Sequence, residues 1–216
     1  MAPSIDGSLK LSDVSLTVDS TPLNTPLNLT VEAGEAATIM GPSGCGKSSL
    51  LAHICGTLAP TFTPRGKVTL AGTLLDGLPP EQRHVGILFQ DDLLFPHLSV
   101  GENLAFGLKP EIRGRTARRE RIETALVDAS LPGMAERDTA TLSGGQRTRV
   151  ALMRTLLSAP RVLLLDEPFS KLDINLRDRI RGFVFDHAHK NNIPTLLVTH
   201  DPADAEAAGG PTVELK

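Results

Sequence analysis

The chain has 216 residues, of which 40% are hydrophobic and 22% charged; this fits one globular domain with an inserted subdomain and excludes a collagen-like, coiled-coil or wholly disordered chain. Its 22 Lys and Arg against 25 Asp and Glu leave a net charge of −3, which gives no general attraction to nucleic acid or anionic lipid. Apolar runs such as Val162–Leu165 fall far short of the roughly 20 residues that a membrane span needs.

Met1–Gly7 lacks the basic start and apolar run of a signal peptide, so no leader is expected. Leu9–Val18 alternates (Leu11, Val14, Leu16, Val18) and predicts an edge strand. Thr21–Leu29 holds two prolines and reads as a turn leading into a short strand, Leu27–Val31, with a further turn at Glu32–Glu35. Ala36–Met40 is an apolar strand that runs into a glycine-rich loop, and Lys47–Cys55 is a helix ended by Gly56. Lys67–Leu70 and Val85–Phe89 are further strands. From about Asp91 to Ser158 strand signals vanish; Arg115–Ala129 carries Ile122, Leu126 and Ala129 at helical spacing. The continuous aliphatics of Val162–Leu165 predict a central parallel strand, followed by a helix over Leu176–Lys190 and a buried strand at Thr195–Val198. A short helix, Pro202–Ala208, and a last strand, Thr212–Leu215, close the chain. The alternation of strands and helices is that of an α/β protein.

Three motifs carry chemistry. Gly41-Pro42-Ser43-Gly44-Cys45-Gly46-Lys47-Ser48, followed by Ser49, fits G-x-x-x-x-G-K-[ST] between a strand and a helix. Its glycines let backbone N–H groups surround phosphate oxygens, and the helix start adds positive partial charge. Lys47 is placed to reach the outer phosphates and Ser48 to ligate Mg²⁺. Val162–Leu165 ends in Asp166 and Glu167; the first suits the metal shell, the second the attacking water. Leu142-Ser143-Gly144-Gly145-Gln146 is a second glycine-rich helix start. One nucleotide does not need two such cradles in one domain, so this one is expected to meet the γ-phosphate held by a second copy of the chain.

On these residues the sequence resembles the ATP-binding cassette (ABC) ATPases. The motifs occur in family order: phosphate loop at 41–48, Gln90 after a strand, Leu142–Gln146, the carboxylates at 166–167, Ser170-Lys-Leu-Asp173 and His200. Gly86–Pro96 with Leu98–Asn103 is similar to the ATPase subunits of bacterial importers, the compact ones serving iron, thiamine, molybdate or polyamine systems. The resemblance implies a RecA-like core (about 1–90 and 159–216), a small antiparallel β portion, a helical subdomain (about 91–158) and no room for a C-terminal regulatory domain. It implies ATP and Mg²⁺, the metal held by Ser48, Gln90 and Asp166. It makes Glu167 the general base or water-orienting group, His200 a γ-phosphate contact, Gln90 a sensor of metal and water, and Asp173 a residue of the dimer seam. Ser143, Gly144, Gly145 and Gln146 are expected to complete the partner copy's ATP site. The expected partners are a second copy on ATP binding, two transmembrane permease subunits and a solute-binding protein, with no nucleic acid. The expected place is the cytoplasmic side of the inner membrane, held there by the permease. Two other readings stay open: a non-transport ABC ATPase and a P-loop kinase of small molecules.

One departure from the family stands out. Most members stack adenine on an aromatic residue in the first strand region, near Val18 by spacing, whereas no aromatic precedes Phe62. A weak or unselective adenine grip is expected. The Arg113–Arg121 run alternates with glutamates and reads as a solvated helix face. His187 and His189 read as surface residues, Cys55 as packed on a helix, and Cys45 as a thiol inside the phosphate loop.

Overall fold

A computed structural model describes residues 7–215, apart from the side chain of Asn175. The reading of a missing leader falls almost wholly on residues 1–6 and so lies outside the described residues. In chain order the elements are β1 (Leu9–Val18), β2 (Thr21–Pro22), β3 (Leu27–Val31), β4 (Ala36–Met40), α1 (Lys47–Cys55), β5 (Phe62–Leu70), β6 (Thr73–Leu74), α2 (Pro80–Arg83) and β7 (Val85–Leu88). There follow α3 (Val100–Gly107), α4 (Arg115–Asp128), α5 (Gly144–Leu157), β8 (Val162–Asp166), α6 (Ile174–Lys190), β9 (Thr195–Val198), α7 (Pro202–Ala208) and β10 (Thr212–Glu214).

The chain forms two compact units. The first takes the described residues up to Ile87, Arg161–Glu167 and those from Val184 on; the second takes Leu88–Pro160 and Pro168–Phe183. The second therefore includes a stretch beyond Val162–Asp166 as well as the helical region, and α6 starts in it and ends in the first.

Two sheets build the first unit. One is parallel at β4, β8 and β9, with strand order β10-β4-β9-β8-β7. β8 and β9 are buried along their whole length, as their unbroken aliphatic runs require. The other is antiparallel, with order β2-β1-β5-β6 and β3 also paired with β1. Here the structure corrects the expected edge position of Leu9–Val18. β1 has β5 on one side and β3 and β2 on the other, so its alternation reports one buried face, not a free edge. β5 also starts five residues earlier than expected, and its Pro64 lies opposite Leu16. On the other side of β5 the described pairing begins only at Val68, whose carbonyl accepts from Leu75 N, so Pro64 interrupts no described ladder there.

Leu9, Leu11, Val14 and Leu16 of β1 pack with Leu50, Leu51 and Ile54 of α1 and with Ile39, Leu164 and Leu196 of the parallel sheet. Ile54 is fully buried, and truncating such a residue to Ala costs about 2–5 kcal/mol. This core fixes α1 under the loop that precedes it.

The second unit is helical. Val100, Leu104, Ile122, Leu126, Val150 and Leu152 are its buried face. α3 starts with a capping box in which Ser99 Oγ accepts from Glu102 N and Glu102 accepts from Ser99 N. Asn103 is fully buried and holds the preceding loop, accepting from Phe95 N and donating to Phe95, Leu98 and Ser99 carbonyls.

Candidate active site

The register of the parallel sheet decides where the site lies. Asp166 pairs with Val198 and Val198 with Ile39. The residues just past the three strands, Gly41, Glu167 and Thr199 with His200, therefore emerge at one carboxyl end of one sheet, where open α/β sheets bind ligands.

Gly41, Gly44 and Gly46 all take positive φ, at 148°, 84° and 89°, a backbone that side chains rarely adopt. A Cβ at Gly41 would come within 2.6 Å of the Leu215 carbonyl oxygen, whereas one at Gly44 would meet nothing within 4 Å. The loop is thus closed at its start against Leu215, just past β10, and open at its middle. Gly46 is the N-cap of α1 and no side chain caps that helix, so its first-turn N–H groups are left for a ligand or water. Lys47 Nζ donates to the carbonyls of Gly41 and Pro42, both at 2.8 Å, and lies 3.9 Å from Cys45 Sγ. The Ser48 side chain is exposed.

Asp166 ends β8 and is only 6% exposed. Burial pushes its carboxyl pKa up, while a hydrogen bond with Ser48 and the charge of Lys47 act against that rise. Glu167 has a φ of 49°, and a non-glycine residue held there stores strain of about 1–3 kcal/mol. Its N–H still donates to Val198 at 2.9 Å, so the turn happens one step past the ladder. Its Oε1 lies 2.8 Å from His200 Nδ1.

His200 follows β9 on a rigid base. Thr199 is buried; its hydroxyl donates to Asp204 Oδ2 (3.1 Å) and accepts from Asp201 N (3.1 Å). Asp201 in turn caps α7 through Ala203 N. The hydrogen bond to Glu167, and then its charge, raise the His200 pKa.

The second unit holds the other predicted residues. Gln90 is exposed, and its carbonyl accepts from Lys171 Nζ at 2.8 Å. Ser143 and Gln146 form the capping box of α5: Ser143 Oγ accepts from Gln146 N, and Gln146 Oε1 accepts from Ser143 N. A Cβ at Gly145 would meet the Lys171 carbonyl at 2.8 Å, while one at Gly144 would meet only Arg147 Nη2 at 4.0 Å. The buried Arg149 donates to the carbonyls of Gly145, Ala129 and Ser130, which fixes the glycine turn from below. Asp173 is exposed just before α6, where its carbonyl accepts from Arg177 N.

The structure therefore brings Lys47, Ser48, Asp166, Glu167 and His200 together in the first unit. It places Gln90, Ser143, Gly144, Gly145, Gln146 and Asp173 in the second. Sequence reasoning missed the Glu167–His200 bond, whose partners are 33 residues apart, and it missed Asp92. That carboxylate accepts from Thr148 Oγ1 at 2.6 Å and lies 3.6 Å from Arg147 and 3.8 Å from Lys171, tying Gln90's loop to α5. The Ser-x-x-Gln spacing of this capping box, like the Ser99-x-x-Glu102 spacing at α3, was a local signal left unread. Cys55 is buried, and in the basic run Arg118 donates to Ala105 and Ile112 carbonyls.

A family model described as ABC transporter matches residues 24–170. An uncharacterized ABC transporter ATP-binding protein, YnjD, of Escherichia coli K12 is 48% identical over 92% of this chain and 91% of its own length. The Fe(3+) ions import ATP-binding protein FbpC 1 of Rhizobium meliloti is 40% identical over 88% of this chain, which spans about half (53%) of that relative. Among solved structures, the dimeric post-hydrolysis state of the ATP-binding cassette MJ0796 bound to ADP and Pi is similar, with a TM-score of 0.84 and 30% identity over 96% of this chain and 94% of that one.

Proposed function

The chain belongs to the ABC transporter family as one of its ATPases, and from that premise we propose that it powers solute uptake through partner membrane subunits by hydrolysing ATP between two head-to-tail copies. The observation that carries this reading is the convergence, on one sheet end, of an uncapped phosphate loop, a buried Asp166 and a Glu167 that is hydrogen-bonded to His200.

The triphosphate lies along Gly41–Ser49, on the free N–H groups of α1. Lys47 exchanges the carbonyls of Gly41 and Pro42 for phosphate oxygens. No group of three or more His, Cys, Asp or Glu that could hold a metal occurs among the described residues. The residues nonetheless fit Mg²⁺: the Ser48 hydroxyl and the Asp166 carboxylate are hard oxygen donors, with Gln90 as the third expected contact, and Mg²⁺ needs only one or two carboxylates beside substrate phosphates and water. Bound there, the ion neutralises charge building on the phosphates.

Glu167 orients water and accepts its proton; His200 steadies that carboxylate and reaches the γ-phosphate. The remaining contacts come from the second copy's Ser143, Gly144, Gly145 and Gln146, with Asp173 at the seam. A dimer is supported by the dimeric state of the similar cassette, and uptake by the import name of the Rhizobium relative. Two permease subunits would dock along Gln90–Pro96 and the helical unit. They would hold the chain at the cytoplasmic face of the membrane and receive solute from a binding protein.

Glu167→Gln tests the reading. It should keep ATP binding, lose at least about 10²-fold in turnover, and form a dimer with ATP that gel filtration resolves from the monomer. Normal turnover without an ATP-dependent dimer would refute both the base role and the two-copy site.

A further inference from the structure

The phosphate loop fixes one end of a nucleotide, and the structure offers an unassigned apolar surface for the other. Asp19 and Ser20 turn β1 into β2 with positive φ at both positions, 48° and 65°, the geometry that two-residue hairpins favour. Just beyond, Leu23 N donates to Leu16 O at 2.9 Å. Asn24 is 5% exposed; it accepts from Leu16 N (2.9 Å) and donates to Val14 O (3.2 Å) and Thr25 O (2.7 Å). These bonds pin Leu23 to β1 and place its side chain at the phosphate loop. A Cβ built on Gly46 would lie 3.4 Å from Leu23 Cβ and 3.7 Å from its Cδ1.

β1 itself points to the rest of the surface. Leu16 is fully buried in the core, and Val18, two residues on, shares its face but is only half-buried. On β5 the residue directly opposite Val18 is Phe62, the first aromatic of the chain, also half-buried. Directly opposed residues of antiparallel strands project to the same face with Cβ atoms about 4.5–5.5 Å apart. The core face of this sheet therefore ends in a ring and two aliphatic side chains, at the side of the loop where α1 starts.

We propose that Phe62, flanked by Val18 and Leu23, is the base-binding surface of the nucleotide site. The ring that the sequence lacks on the first strand is supplied from the strand beside it, 44 positions later in the chain. The inference rests on the ATP site proposed above and assigns its specificity. A ring face with aliphatic neighbours offers stacking and burial but no hydrogen-bond pattern, and stacking accepts every base. Adenine and guanine nucleotides should bind alike.

The chain contains no Trp, so Phe62→Trp adds a single fluorophore at the proposed contact. Its emission should change on adding ATP, ADP or GTP, but not on adding inorganic tripolyphosphate. By calorimetry, Phe62→Ala should weaken ATP and GTP about 5- to 150-fold, the range of one base–aromatic stack, and leave tripolyphosphate binding unchanged. The double variant Phe62→Ala/Val18→Phe moves the ring to the opposite strand and should recover most of the loss. Three results would overturn the proposal: unchanged ATP affinity in Phe62→Ala, an equal loss of tripolyphosphate, or a wild-type preference for ATP over GTP above about tenfold, which is ~1.4 kcal/mol of readout. Should Phe62→Ala not fold, the Trp emission and the wild-type ATP, GTP and tripolyphosphate affinities decide the point. Lys47→Ala separates the two readings. If it keeps full affinity for tripolyphosphate, the phosphate site itself is wrong; if it loses that affinity while Phe62→Ala keeps ATP, only the base surface is wrong.

Discussion

A histidine side chain that is 74% exposed has little reason to titrate abnormally unless a specific neighbour makes it do so. For His200 that neighbour is Glu167, whose hydrogen bond and then charge raise the pKa, with Asp201 and Asp204 adding smaller pulls. The folded state thus binds this proton more tightly than the unfolded chain. The pair's contribution to stability is fully present below the ordinary histidine value near 6.5 and fades as pH rises through the raised one. Water screens so exposed a group, so its weight is in geometry more than in stability. Histidine NMR titration should show His200 raised in the wild type and returned to the ordinary range in Glu167→Gln. Equal values in both would mean that the carboxylate does not hold the ring in solution.

At the scale of elements, α1 matters because its start is the proposed phosphate cradle and its end must not slip. Arg83 secures that end. It is 7% exposed, and its Nη1 donates to the carbonyls of His53 (2.7 Å) and Ile54 (3.1 Å) while Nε donates to Leu78 O (2.8 Å). Arg83→Ala leaves buried carbonyls without a partner and should cost about 2–3 kcal/mol in denaturant unfolding. Arg83→Lys should recover little, because a point ammonium does not reproduce the planar fork. A loss below about 0.5 kcal/mol would show that water replaces the guanidinium there. None of this was legible in sequence, since Arg83 lies 30 residues from His53 and has no local pattern. The elements themselves were legible where one physical signal dominates. Continuous aliphatics gave β8 and β9, and the glycines at 46 and 56 bounded α1. Alternation in β1 marked a strand, but it says nothing of how many strands lie beside it, so the expected edge position was wrong. The first half of β5 carries Pro64, Arg65 and Gly66, so only its pairing with β1 reveals a strand and puts Phe62 opposite Val18. The phosphate loop and the two acids were visible because each is contiguous in sequence. The Glu167–His200 bond was not, because it exists only through the register of β8 on β9.

At the scale of the whole molecule, the question is which copy's nucleotide the Ser143–Gln146 turn serves. In the proposed head-to-tail pair, two copies related by a twofold axis would make two equivalent sites, each pairing one copy's phosphate loop with the other's turn. Gly144 allows a clean test. Its added Cβ meets nothing closer than Arg147 Nη2 at 4.0 Å, and its φ is not in the left-handed range. An Asp there is also favoured by the dipole at the start of α5, so Gly144→Asp should fold at least as well as the wild type. Its carboxylate would nonetheless face any phosphate brought to that turn and repel it. Lys47→Ala and Gly144→Asp should each be inactive alone, each copy spoiling one half of both sites. In an equal mixture, heterodimers have one site made of an intact loop from one copy and an intact turn from the other. With half of the dimers mixed and one of their two sites restored, activity should return to roughly a quarter of the wild type if the sites act independently. If the turn served its own copy's nucleotide, neither chain would contain a complete site and mixing would restore nothing. The measurement is phosphate release by each variant and by the mixture at one total protein concentration. A mixture as inactive as its components, while cross-linking confirms that heterodimers form, would remove the second copy from the site.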